Sequence, residues 1–325
     1  ARGLRGSGGP VWAPRLSWPI VVTVVLLVVL AVDMWWQPLW AYDSWTFWTP
    51  RAHALSALNG LDGRWFRSYD LGTLDYPLLL PAVEAAGFRF TGYEAGLLDI
   101  QSLLFVAAAL LAFAEVVVPR GPRWARVLPF LVVVSPSLAD QIASAEADLP
   151  LAALFACAAV CGYLWHRERL AGSLALFAVF AGGAAATKIE GLPFVLSLLV
   201  ALGVAEARRS RRDALVLAAV GLGSLLVALG PWRYWMSAHG ISSESSFGRI
   251  TDVHALADHA GRVPYSTGYL LAKTFDPRAW VLLAPLLVVL ILLAARGARR
   301  EATVVASIGI LCFASLVLAY WTTPF

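Results

Sequence analysis

Four short stretches place acids, a lysine and a tyrosine where they could do chemistry: "AYDSW" with Asp43, "LDYPLLLP" with Asp75, "SAEADLPLA" with Glu146 and Asp148, and "TKIEG" with Lys188 and Glu190. A carboxylate can take the proton from a hydroxyl as that hydroxyl attacks an activated sugar. Acids spaced as Glu-x-Asp can hold a divalent cation, Mg or Mn, through oxygen ligands. Such a cation can neutralise a departing phosphate. Lys188 and Arg51 are the basic residues that could meet that phosphate directly, with Glu190 orienting Lys188 or touching the sugar. Each stretch also has a plainer reading. Asp148 just before Pro150 has the form of a helix start. Lys188 and Glu190 could pair only with each other. On a continuing helix, residues two apart point to different sides, whereas a turn signalled by Gly191 and Pro193 could bring them together.

These stretches sit in a chain of 325 residues that is 59% hydrophobic and 14% charged. A water-exposed surface for a chain of this length needs more polar residues, so the expected class is an all-α polytopic membrane protein. About 20 apolar residues cross a bilayer as a helix. Nine segments meet that description: 17–40, 97–118, 124–143, 149–165, 170–187, 191–207, 214–235, 279–295 and 302–321. Pro136 predicts a bend in the third. The fifth contains "AGGAAAT", whose small side chains allow close packing and place it inside the bundle. Three cysteines make no disulfide framework. The chain has no initial Met and stops just past an apolar run, and it is expected to be a fragment of a longer protein.

Charge sorts the two ends of these spans. One set of connections holds Arg2, Arg5 and Arg15, then Arg120, Arg123 and Arg126, then Arg167 and Arg169. It continues with Arg208, Arg209, Arg211 and Arg212 and ends with Arg296, Arg299 and Arg300, together 15 of the 25 Lys and Arg. The bias of basic residues toward the inner face makes this side cytoplasmic, including residues 1–16, with anionic lipid headgroups as partners. The acids concentrate on the other side, and all four chemical stretches lie there. The expected location is therefore the cell membrane, multi-pass, with the site on the extracytoplasmic face. Two loops on that face are long, 41–96 and 236–278. The first contains "PRAHALSALNG" and "YPLLLPAVEAAGF", which read as short helices lying at the interface. Pro50 suits a helix start and Gly60 a stop. Trp35, Trp36, Trp40, Trp45, Trp48 and Trp65 read as an interfacial aromatic belt. The sequence shows no glycine-rich phosphate loop and no nucleic-acid-binding patch.

An acid just after the first span, an outer loop with two interfacial helices, "DYPLLLP", "EADLPLAALF" and "TKIEGLPF" together resemble the GT-C glycosyltransferases, over most of the chain. "DYPLLLP" is similar to the Tyr-Pro-Pro-type stretch of the protein-O-mannosyltransferase and aminoarabinose-transferase relatives. The resemblance implies transfer of a sugar from a polyprenyl-phosphate donor to a glycan, lipid or protein acceptor. It implies Asp43 as the catalytic base, Asp75 and Tyr76 with Arg51, Lys188 and Glu190 at the substrates, and Glu146 and Asp148 as the second acidic motif, which binds a metal in oligosaccharyltransferase relatives. The chain departs from the pattern in having a single acid in "YDS", where many mannosyltransferases have Asp-Glu, and no large soluble C-terminal domain. Two other classes stand beside this reading. A transporter or lipid flippase would need charge near the midplane, where these spans carry almost none. A non-catalytic membrane subunit would leave the acids scattered rather than gathered.

Overall fold

The structure, a computed structural model, describes residues 18–37, 39–68, 75–116, 127–241 and 253–322. Among these residues every regular element is helical. The first half comprises α1 (Trp18–Trp35), a π-helical turn (Ser44–Trp48), α2 (Thr49–Ala57), α3 (Gly63–Ser68), α4 (Leu79–Thr91), α5 (Ala95–Val116), α6 (Leu128–Val133) and α7 (Pro136–Ala143). The second comprises α8 (Asp148–Glu168), α9 (Ala171–Thr187), α10 (Gly191–Ala207), α11 (Arg211–Ala238), α12 (Val253–Asp258), α13 (Arg262–Thr274), α14 (Pro277–Trp280), α15 (Leu283–Gly297) and α16 (Arg299–Thr322).

Among the described residues, four helices are long and apolar enough to cross a membrane: the Ala95–Ala114 part of α5, α8, α11, and the Arg299–Trp321 part of α16. A fifth span results if Arg262–Trp280 and Leu283–Gly297, which meet at 107°, are one broken crossing. Ile20–Trp35, Gly172–Thr187 and Gly191–Ala207 are apolar but shorter. The chain is an all-helical, multi-pass membrane protein. Its outer surfaces agree: Val21, Val24, Val25, Val28, Val29 and Val32 of α1 are all exposed. In water such a strip would be a liability, whereas against hydrocarbon it is the ordinary exterior of a membrane helix.

Two expected spans take a different form. Segment 124–143 is not one helix over its described residues. It divides at Ser135, whose hydroxyl caps α7 by accepting from the Leu138 amide. Pro136 has no N–H to donate to the preceding turn, so a second helix starts instead of the first continuing. Segment 279–295 begins its regular helix only at Leu283, after Val281 takes a left-handed conformation at φ +56°. Both short helices expected within 41–96 are present, as α2 and α4, with α3 between them. Pro50 lies in the first turn of α2, and Asn59 (φ +55°) with Gly60 (φ +145°) ends that region. The 236–278 loop is partly helical, since α11 runs to Ala238 and α13 and α14 follow. Residues 1–16 and 242–252 lie outside the described part.

The core is built around α9. Phe177, Ala181, Ala184 and Ala185 are fully buried, against Ala158 of α8, Leu198 and Leu202 of α10, and Leu217 and Leu225 of α11. Small side chains bring the backbones close. At Gly191, where the chain re-enters α10, an added Cβ would stand 2.0 Å from the Ala184 carbonyl oxygen. The tight α9–α10 turn therefore excludes any side chain there, and it holds Lys188 and Glu190 at one end of the bundle. Helix α8 starts with Asp148 at that same end and finishes with Arg167 and Glu168 at the other. Its 21 residues span roughly 30 Å, the thickness of a hydrocarbon core.

Candidate functional site

At the acidic end of α8, four segments far apart in sequence meet. Lys188 adopts extended backbone (φ −148°, ψ 155°) immediately after α9. Its Nζ donates to both carboxylate oxygens of Asp148, at 2.8 and 2.9 Å. Glu190 stands farther off, with Oε1 3.9 Å from Nζ. The chain does turn and brings Glu190 within ion-pair distance, but Lys188 finds its main partner on α8. Burial alone would lower the Lys188 ammonium. The fields of Asp148 and Glu190 outweigh it and hold the group charged, above the ordinary lysine value. Glu190 Oε2 is buried and has no hydrogen-bond partner among the described residues.

The turn between α7 and α8 presents Glu146. Ala145 holds a left-handed conformation there (φ +48°) and is almost fully buried. Burial, then the charges of Asp148 and Asp43, push the Glu146 carboxyl up to about 7, with Lys188 pulling the other way. Glu146 is thus poised to hold or release a proton near neutral pH. The influence of Asp43 follows from a specific tie. The Ser44 hydroxyl donates to the Ser144 carbonyl, which fixes the start of the first loop against the α7–α8 turn. Asp43 itself is exposed, at the entrance to the π-helical turn.

The third segment forms the wall. The Tyr76 ring meets Phe47 at 5.2 Å and Trp48 at 5.6 Å, both edge-on. Burial and the neighbouring Glu190 raise its phenol above the ordinary tyrosine value, so the hydroxyl stays protonated and able to donate. Trp48 is 2% exposed, so it belongs to this wall and not to an aromatic belt. Trp36, Trp40 and Trp45 are exposed.

Two further residues of the expected site, Arg51 and Asp75, are fully buried and brace the wall. Arg51 is fully buried, with its guanidinium 4.1 Å above the Phe47 ring and Nη1 donating to the Tyr76 carbonyl at 3.3 Å. These contacts tie it to the wall. Asp75 is also fully buried, with Oδ2 3.8 Å from Arg233 Nη1, and its carbonyl accepts from Trp232 Nε1 at 3.3 Å. Arg233 was not expected to take part. The signal was available, because a basic residue near the end of an apolar span is expensive without a partner.

The Glu146–Asp148 pair by itself supplies two carboxylates toward a cation, and one of them is already engaged by Lys188. A hard cation takes about six to eight oxygen ligands. Among the described residues, no three of His, Cys, Asp and Glu gather to hold a metal. Lys188 also occupies both oxygens of Asp148. Compared with protein-family models, with curated proteins and with solved structures, the chain matches none of them.

Proposed function

We propose that the acidic end of the bundle transfers a sugar from a polyprenyl-phosphate donor to an acceptor hydroxyl on a glycan, lipid or protein, as GT-C enzymes do at the extracytoplasmic face. The observation that carries this reading is the meeting of Asp43, Tyr76, Glu146, Asp148, Lys188 and Glu190 from four separate segments in one place. Scattered, solvated acids would have favoured a passive subunit.

In the proposed reaction the acceptor oxygen attacks the anomeric carbon, the carbon–phosphate oxygen bond breaks, and the lipid phosphate leaves with the electron pair. Asp43, at the exposed edge of the cluster, receives the acceptor's proton. Lys188 carries three N–H donors. Asp148 accepts two contacts, which leaves one N–H for a phosphate oxygen. Fixing the ammonium before the donor arrives avoids reorganisation as charge develops on the phosphate. Glu190 Oε2 and the protonated Glu146 and Tyr76 offer one acceptor and two donors for sugar hydroxyls.

The test is transfer from a synthetic polyprenyl-phosphate sugar by the full-length protein in lipid. Asp43→Asn is expected to lower turnover by roughly 10²–10⁴-fold while leaving donor binding and melting temperature close to wild type, because the side chain is exposed. Turnover near the wild-type value would remove Asp43 from the reaction.

A further inference from the structure

At the opposite end of the bundle a cleft of about 670 Å³ opens between α8, α10 and α16. Five guanidinium groups line it: Arg167 from α8, Arg208 and Arg209 from the end of α10, and Arg299 and Arg300 from the start of α16. All five side chains are exposed. Glu301 is the one carboxylate among the described lining residues.

The acids beneath the cleft do not neutralise it. Glu206 is fully buried and its carboxylate accepts from Arg169 Nη2 at 2.6 Å and from the His166 imidazole. Arg169 also approaches Asp213 Oδ2 at 3.4 Å and lies 4.7 Å over the Trp165 ring. This network, centred on the buried Glu206, links the ends of α8, α10 and α11 and uses none of the five lining arginines. Two of those arginines reach neutral groups, Arg209 the His166 carbonyl at 3.2 Å and Arg167 the Tyr163 hydroxyl at 3.5 Å. Such contacts orient a guanidinium without cancelling its charge.

The wall leading from the arginines toward the middle of the bundle is mostly aliphatic, with Val200 and Val204 on α10 and Val304 and Leu311 on α16, interrupted by the hydroxyls of Thr303 and Ser307. Guanidinium forks match phosphate oxygens in pairs, and an aliphatic wall below them matches a hydrocarbon chain. We propose that this cleft binds an anionic phospholipid of the adjoining leaflet, its phosphate among the arginines and one acyl chain along Val200, Val204 and Leu311. Basic pockets between membrane helices suit such headgroups. A free phosphate would use the arginines alone and leave the wall unexplained. The site lies a full bilayer thickness from the acids and does not depend on their chemistry.

The experiment uses the full-length protein in detergent, with lipid retention read by native mass spectrometry. Phosphatidylglycerol is expected to stay bound, and the Arg208→Gln/Arg300→Gln variant to lose that retention by roughly tenfold. The Arg208→Lys/Arg300→Lys variant should recover a large part of it. Millimolar inorganic phosphate should neither displace the lipid nor raise the melting temperature as the lipid does. Wild-type retention by the glutamine variant, or equal retention of phosphatidylcholine, would overturn the proposal. Displacement or equal stabilisation by inorganic phosphate would overturn the lipid assignment.

Discussion

Breaking the Lys188–Asp148 pair from either side should give unequal losses. The Lys188 side chain is 15% exposed and that of Asp148 is 47% exposed. Lys188→Met leaves an acid that is already half in water, and Glu146 beside it can bind a proton rather than add a second charge. That loss resembles a surface pair, roughly 1 kcal/mol. Asp148→Asn leaves an ammonium that is mostly buried. Removing one partner of a buried pair costs roughly 3–5 kcal/mol. Glu190, 3.9 Å away, can move in and offset part of this, which brings the expected loss to roughly 2–3 kcal/mol. The double variant strands neither charge and should lose less than the two single losses combined. The assay is thermal unfolding in detergent or nanodiscs, where each kcal/mol moves the midpoint by roughly 2 °C. Equal shifts for the two single variants, or strictly additive shifts in the double, would refute the burial argument and the pairing with it.

The sequence made the helices legible because apolar run length is a strong signal. It showed one break and missed another: Pro136 marked the interruption that Ser135 caps, whereas the positive φ of Val281 does not register in hydropathy. The four chemical stretches were also legible, since charge is rare in this chain and its position at helix ends is conspicuous. Their partners were not. Lys188 had a nearby acid in sequence, Glu190, but binds Asp148 forty residues away, because Gly191 lets α9 and α10 close tightly and directs the lysine across to α8. The surroundings of Arg51 were hidden for a similar reason: its type suggested phosphate, while the π-helical turn before it put Phe47 under its guanidinium and buried it. Composition reveals which residues are chemically able; tertiary contacts decide which of them face a ligand.

Gly191→Ala should lower stability by roughly 3 kcal/mol or more, since the new methyl would lie 2.0 Å from a backbone oxygen that cannot rotate away; an unchanged melting temperature would show that the α9–α10 turn is looser than described. Trp232→Phe should lose roughly 1 kcal/mol by removing the indole donor to the Asp75 carbonyl, and wild-type stability would show that bond to be idle. Glu146→Gln should change how stability depends on pH. The Glu146 carboxyl is raised from 4.5 to about 7, so the folded state binds its proton more tightly than the unfolded state does. Its contribution is fully present below about pH 4.5, falls as pH rises through the interval to about 7, and is lost above it. Glu84, buried beside Asp99 and also raised, slopes the same way in both proteins, so the difference between wild type and Glu146→Gln isolates Glu146. That difference should grow in favour of the glutamine variant between pH 5 and 7 and level off near pH 8, by roughly 1–3 kcal/mol. A difference that stays flat across that interval would place the Glu146 carboxylate in water and remove it from the proton chemistry of the site.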